Sequence, residues 1–376
     1  MRVCVLTPVL DAFKGGNHLP LLGEAAPVQF TILTNRMRPR EATLPANVRV
    51  EILPARIGPY YFGVADALFA RSVLRRYPPE HPFWKQFDVL HLNQTCGPHL
   101  RKLAETGRPL CLLIHHPVSV DRFLALAHAR WPVTWLWRMK YALLLRWQRA
   151  FCRSGIAIAT VSRTAAARIA SDYGCESSMV RIVPNGVNCE LYRPGDLSHV
   201  EYDVIALGSF LHPRKGFPFL LRAYQALSAQ GYRIADVGRR SDEQLAALTA
   251  IPNVHVQGMV GPEELLSLLQ RSATLISTSL YEGFGLSLIE ALACGRPAFA
   301  FDGGAVREVL SPVDGELVVP AGDTDALVAR VQSFLHLSPE ERRSRGTQYR
   351  EKVCAFYPLS KSAQALRALY EDLCRT

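Results

Sequence analysis

Two carboxylates, Glu282 and Glu290, stand eight residues apart in Tyr281-Glu282-Gly283-Phe284-Gly285-Leu286-Ser287-Leu288-Ile289-Glu290-Ala291-Leu292-Ala293-Cys294-Gly295-Arg296-Pro297. A carboxylate that faces a diol can accept two hydroxyl hydrogen bonds, and bonds to an ionised group are the stronger kind. Upstream, Leu211-His212-Pro213-Arg214-Lys215-Gly216 sets an Arg fork beside a Lys point charge, a pairing suited to a diphosphate. One acid for each diol of a sugar nucleotide, with two cations for its diphosphate, is the chemistry these residue types and spacings offer. Taken singly, each signal is weak. A lone Glu fits a helix's first turn or its wet face, and a lone Arg-Lys pair fits a solvated turn. The coincidence of loop glycines, spacing and helix stop favours a ligand.

These groups need elements to hold them. A strand-like run, Ala273–Thr278, leads into the Gly-x-Gly turn, and an apolar segment (Leu286, Leu288, Ile289, Leu292, Ala293) then ends at Gly295 and Pro297, the expected helix stop. Glu282 therefore belongs to the loop and Glu290 lies about two turns into the helix. The N–H groups of Phe284, Gly285 and Leu286 at the helix start can hold a diphosphate oxygen, and the glycines admit close approach. Arg214 and Lys215 follow a strand, Tyr202–Leu207, and its Gly208-Ser209-Phe210, and precede an amphipathic helix, Phe217–Ala229.

The first half offers two further candidates. Lys14-Gly15-Gly16 follows the first strand and leaves room for a phosphate or sugar, although Gly-Gly is common in turns and no G-x-G-x-x-G is present. Leu110–Ile114 ends in His115-His116-Pro117, where ligands of open α/β sheets sit; a hydrogen-bonded loop histidine fits as well.

At 376 residues the chain is long for one core, so two domains are expected. Nine scattered cysteines without a C-x-x-C pair predict neither a zinc site nor a disulfide framework, which points to a reducing compartment, the cytoplasm. No run approaches the roughly 20 apolar residues of a membrane span, and Val3–Leu10 reads as a strand rather than a signal peptide. The net charge of +10 is concentrated: residues 122–171 hold nine Lys or Arg and no Asp or Glu. If Thr134–Arg153 is one helix, Arg138, Arg146, Arg149 and Arg153 share one side of it, with Trp131, Trp135, Trp137 and Trp147 in or beside it. That composition suits peripheral contact with an anionic membrane, at its inner face, through 122–153. It equally suits a buried helix with a basic outer edge. Nucleic acid is not expected as a partner, because no recognition fold accompanies the charge.

Strand-like runs at Arg2–Leu6, Val28–Leu33, Val48–Leu53, Asp88–Leu92, Leu110–Ile114, Gly155–Val161 and Val180–Val183 alternate with helical patterns, notably Val64–Arg76, Pro98–Glu105, Thr134–Arg149 and Arg163–Tyr173. After Val183-Pro184-Asn185-Gly186-Val187-Asn188 and the aperiodic stretch to Val200, the alternation restarts and runs to a final amphipathic segment, Ser360–Leu373. The pattern predicts α/β architecture with parallel sheets covered on both faces.

Glu282-Gly283-Phe284-Gly285 through Glu290-Ala291 and Gly295-Arg296-Pro297 resembles the E-x7-E signature of the retaining family 4 glycosyltransferases. Gly15-Gly16, His115, Pro184-Asn185-Gly186-Val187, Gly208 and Arg214-Lys215-Gly216 match the family's other stretches in the right order. The resemblance implies the GT-B fold: two Rossmann-like α/β/α domains with parallel sheets facing across a cleft. The N-terminal, acceptor-side domain is placed at 1–195, the nucleotide-sugar domain at 196–356, and a helix at 357–376 crosses back. It implies that Glu290 binds the ribose and Glu282 the transferred sugar. Arg214 and Lys215 would stabilise the departing diphosphate in a front-face reaction, and His115 would contact the donor sugar. Gly15, Gly16, Gly208, Phe284, Gly285 and Leu286 would line the donor. Neither a metal nor a cofactor is implied, only a nucleotide-diphosphate sugar as co-substrate; the acceptor (glycan, lipid-linked or small molecule) stays open. The chain departs from the pattern in a short stretch after Gly16, in Asn188 where Asp often stands, and in His116, which leaves the choice between His115 and His116 open. The alternative is a non-catalytic nucleotide-sugar or glycan-binding protein on the same scaffold, against which the intact Glu282, Glu290, Arg214 and Lys215 argue. Gly258-Met259-Val260 is a weak candidate for reading the base.

Overall fold

The computed structural model describes residues 1–11, 19–38, 42–53, 64–94, 97–128, 133–195 and 200–375. The chain forms two compact units, residues 1–185 with 359–376 and residues 186–358.

The first unit is built on strands β1 (Arg2–Leu6), β2 (Val9–Asp11), β3 (Gln29–Thr34), β4 (Arg36–Arg38), β5 (Val48–Ile52), β6 (Val89–Asn93), β7 (Leu110–Ile114), β8 (Ala157–Thr160) and β9 (Val180–Ile182). Its helices are α1 (Leu19–Glu24), α2 (Val64–Arg76), α3 (Val118–His128), α4 (Val133–Cys152) and α5 (Arg163–Tyr173). Seven strands make one sheet in the order β5-β3-β1-β6-β7-β8-β9, every pair parallel, while β2 and β4 form a small separate pair. A parallel strand buried on both faces must be apolar at consecutive positions, and β1 is: Cys4 and Leu6 belong to one core with Phe69, Trp84 and Tyr173, whereas Val3 and Val5 belong to another with Leu22, Phe30 and Tyr370. The sheet is thus covered on both sides.

The second unit contains β10 (Tyr202–Leu207), β11 (Ile234–Val237), β12 (Val254–Gly258), β13 (Ser272–Ser277), β14 (Ala298–Phe301) and β15 (Val318–Val319). Its helices are α6 (Phe217–Ser228), α7 (Asp242–Thr249), α8 (Pro262–Gln270), α9 (Leu286–Ala293), α10 (Val306–Leu310), α11 (Thr324–Leu335) and α12 (Pro339–Phe356). The strand order β12-β11-β10-β13-β14-β15 is parallel throughout and is the 3-2-1-4-5-6 order of a dinucleotide-type sheet. Its direction of winding reverses between β10 and β13. Outside the carboxyl ends of those two strands is where such a sheet leaves a crevice. Helix starts follow from local chemistry: Ser338 and Glu341 form a capping box at α12, and Ser162 caps α5. The last helix, α13 (Leu359–Arg375), belongs to the first unit, where Leu359, Ala363, Leu366 and Tyr370 complete the core on the Val3 side of β1.

Three differences from the sequence reading stand out. The division between units falls at Asn185/Gly186 rather than at 195, since the stretch that follows is pinned within the second unit: Arg350 donates to the carbonyls of Cys189 (2.7 Å) and Tyr192 (2.6 Å). Cys189 and Cys354 form a disulfide with Cα atoms 6.1 Å apart, which corrects the expectation of none; their separation of 165 residues left no local pattern to read. Helix α3 and the β2–β4 pair lacked a recognisable pattern in the sequence and are present.

Candidate functional site

In the second unit the loop after β10 and the loop after β13 lie side by side at the reversal point of the sheet. Their closeness is dictated by backbone. The Thr278 hydroxyl donates to the carbonyls of Lys215 (3.1 Å) and Gly216 (3.2 Å), and Leu280 N–H donates to Arg214 O (2.8 Å). At Gly216, with φ +69°, a Cβ would stand 2.2 Å from Thr278 O, so no larger residue fits.

This closure brings together residues 67 apart in sequence. Lys215 Nζ is 2.5 Å from Glu282 Oε1, and Arg214 Nη1 is 3.6 Å from Glu282 Oε2 and 2.7 Å from the carbonyl of Tyr281. Burial pushes the Glu282 carboxyl up, but Lys215 and then Arg214, helped by hydrogen bonds from Lys215 and Ser279, bring it down to about 2. The acid is therefore a fixed negative charge. Its backbone is clamped too: Glu282 N–H donates to Gly303 O (3.1 Å), Ala305 N–H donates to Glu282 O (2.9 Å), and a Cβ on Gly304 would lie 2.3 Å from that oxygen.

Phe284 is buried, edge-on to Tyr357 at 5.6 Å, so what this residue can present to a ligand is its backbone. Gly285, at φ +97°, turns the chain into α9, whose first N–H groups at Leu286 have no carbonyl behind them. One turn further, Glu290 is half-buried and hydrogen-bonds the hydroxyl of Tyr192. Burial first, then the Glu290 charge, raise the Tyr192 phenol well above the ordinary range and keep it a neutral donor.

Gly208 closes the group. Its N–H donates to Val237 O (2.9 Å) and its carbonyl accepts from Arg240 Nη1 (2.6 Å), while a Cβ on it would meet nothing within 4 Å among the described residues. Arg240 is wholly buried with Asp236, 2.6 Å away, and its guanidinium lies 4.5 Å from the Phe210 ring centre; Tyr224 also donates to Asp236 (3.0 Å). This pair fixes the Gly208 loop from beneath.

The remaining candidates belong to the first unit. His115, just past β7, bonds Asn93 Oδ1 through Nε2 (2.8 Å) and donates its backbone N–H to Gln94 Oε1 (2.7 Å). His116 instead pairs with Asp121 at 2.9 Å. Asn93 ends β6 and Gln94 follows it, so His115 stands on the C-terminal edge of the sheet, where position alone predicted a functional histidine. Gly15 and Gly16 lie outside the described residues. Sequence reasoning missed Tyr192, Ser279, Asp236 and Arg240: Tyr192 is 98 residues from Glu290 and Arg240 is 32 from Gly208, while Ser279, three residues before Glu282, and the Asp236–Arg240 pair, four apart, carried no pattern that marked them. No helix among the described residues is long and apolar enough to cross a membrane.

With this geometry in place, comparison with known proteins is decisive. The model of "Glycosyltransferase Family 4" matches residues 24–191 and that of "Glycosyl transferases group 1" residues 201–336. The chain is 34% identical over 300 residues to the MMP alpha-(1->4)-mannosyltransferase of Mycolicibacterium hassiacum, covering 76% of this chain and 70% of that protein. Among solved structures it resembles the sucrose-phosphate synthase of Thermosynechococcus elongatus (TM-score 0.79, 21% identity, 99% and 98% of the two chains). It also resembles Anabaena HepE solved with UDP-glucose (TM-score 0.70, 16% identity, 99% and 100%). The chain belongs to the family 4 glycosyltransferases, enzymes that transfer sugars, and its architecture is GT-B.

Proposed function

We propose that this enzyme transfers a hexosyl group from a nucleotide-diphosphate sugar to its acceptor with retention of anomeric configuration. The carrying observation is the Arg214–Lys215–Glu282 cluster, with Glu290 on α9, at the reversal point of the second sheet. In this reading Lys215 and Arg214 face the diphosphate. As the bond between the sugar's anomeric carbon and the phosphate oxygen breaks, the electron pair goes to that oxygen, and the two cations neutralise the charge that develops there. The first N–H groups of α9 add dipolar stabilisation. Glu282, held ionised, accepts from hydroxyls of the transferred sugar, and Glu290 from the ribose diol. His115 touches the donor sugar. The departing phosphate takes the acceptor's proton on the same face, so no protein nucleophile is required, and the cations stand where a divalent metal would otherwise act.

The M. hassiacum relative is named as a mannosyltransferase, and HepE was solved with UDP-glucose, which supports a hexosyl unit on a nucleotide carrier. We assign the enzyme peripheral contact at an anionic membrane. On α4, Trp135, Leu136, Met139 and Leu143 are exposed, and Arg146 and Arg149 are exposed further along the same helix. An exposed stripe that is apolar and then basic suits a headgroup boundary.

The test is a panel of nucleotide sugars assayed for slow donor hydrolysis without acceptor. The wild type is expected to release nucleotide from one or a few donors, and Lys215→Ala and Glu290→Ala to lose that release while folded. Turnover by either variant at the wild-type rate would remove the assigned roles.

A further inference from the structure

The second unit carries a recess that sugar transfer does not use. It encloses about 80 Å³ and is lined by Pro194, Ala273, Arg296, Phe334, Arg342 and Arg343, among others. Ala273 lies at the start of β13, and Arg296 stands two residues before β14. The strands are parallel, so the recess sits at the opposite edge of the sheet from the loops that carry Gly208, Lys215 and Glu282.

Its charge is unbalanced. Three arginines line it, and among the described residues no carboxylate does. Arg296 is only 6% exposed; it donates through Nη2 to Gln270 O, while its Nε is buried without a hydrogen-bond partner. Burial pushes the Arg296 guanidinium below the ordinary arginine range, with Cys294 opposing that shift and Arg342 adding to it. Burial lifts the Cys294 thiol to about 12, so near neutral pH it is uncharged and does not serve as a counter-ion. The carboxylate of Glu341, in the first turn of α12, is engaged with Ser338 N–H at 2.9 Å. A buried cation without a counter-charge is costly, and an arginine cannot relieve that cost by losing its proton at any working pH.

We propose that this recess is a second anion site, which takes a phosphoryl group through Arg296, Arg342 and Arg343. The guanidinium fork suits a tetrahedral oxyanion. The volume is well below the ~150 Å³ that holds a benzene ring, so the site admits the phosphoryl group and leaves any organic remainder outside. Free phosphate and a phosphate monoester share this chemistry.

The proposal does not rest on the donor reading, and its test is kept separate from it. In the full chain carrying Lys215→Ala, which removes the expected diphosphate contact, inorganic phosphate and a hexose 1-phosphate are titrated calorimetrically at constant ionic strength. Phosphate is expected to bind where chloride does not. Adding Arg342→Gln and Arg343→Gln, neither of which is among the buried residues of α12, should weaken binding about tenfold or more. Tighter binding of the ester at the same arginines identifies a phosphorylated metabolite as the ligand; equal binding identifies free phosphate. No binding of either, or binding that the two substitutions leave unchanged, overturns the site.

Discussion

The ammonium of Lys215 rests 2.5 Å from Glu282 Oε1, with both side chains largely shielded from water. The cation assigned to the diphosphate is therefore already held in place by the acid assigned to the sugar. Two groups that must each touch a different part of one ligand are mutually oriented before it arrives, which lowers the reorganisation required when charge develops.

Replacing Lys215 by Ala should lower kcat about 10²-fold or more, in line with the loss of one preorganised charge stabiliser. Lys215→Arg should recover little, because a planar fork does not reproduce a point charge at that position. Steady-state kinetics with circular dichroism as a folding control decide this; a loss of less than about threefold in the Ala variant would contradict the role.

Tyr192→Phe removes the hydroxyl that steadies Glu290 while keeping the ring. The expected result is a donor KM raised several-fold with kcat nearly unchanged, the signature of lost uniform binding. A fall in kcat alone would speak against Glu290 as a ribose ligand.

The Arg240–Asp236 pair is wholly buried, so truncating one partner strands the other. Burial already pushes the Asp236 carboxyl up against the pull of Arg240. Arg240→Ala should cost about 3–5 kcal/mol in urea unfolding, and adding Asp236→Ala should restore part of it. If the double variant is no more stable than the single one, the coupling is absent.

His91 is completely buried against Tyr370, with Nδ1 2.5 Å from the hydroxyl, and burial lowers its pKa from 6.5 to about 3. The unfolded chain thus takes up a proton below pH 6.5 that the folded protein refuses until about pH 3. Stability should fall as pH drops through that window, by up to ~1.4 kcal/mol per pH unit from this residue. Chemical denaturation at several pH values should show a shallower slope in His91→Phe; identical slopes would exclude His91 as the source.

Vesicles containing anionic lipid should pull the wild type down on sedimentation, and neutralising Arg138, Arg146, Arg149 and Arg153 should release it. Absent or unchanged sedimentation argues for a basic but solvated helix face.

Much of this was legible in the sequence because parallel strands buried on both faces must be apolar runs. Strands such as Leu110–Ile114, Tyr202–Leu207 and Ala298–Phe301 therefore announce themselves. The Glu282–Glu290 segment was legible for a different reason: its glycines, its acids and its stop signal are all local. What stayed hidden depends on distance along the chain. The link between Thr278 and Gly216 is set by sheet order, Tyr192 reaches Glu290 across 98 residues, and the partners of Arg240 are settled by burial rather than by spacing. Helix α3 stayed hidden because the basic and aromatic residues around it mask its amphipathic period.

The bridge between Cys189 and Cys354 closes a covalent ring around most of the second unit. A protease that nicks any single bond between those two positions leaves one molecule, not two, until a thiol reagent is added. Limited digestion run with and without reductant will therefore give different fragment ladders, and only the reduced lanes will report where the backbone was cut.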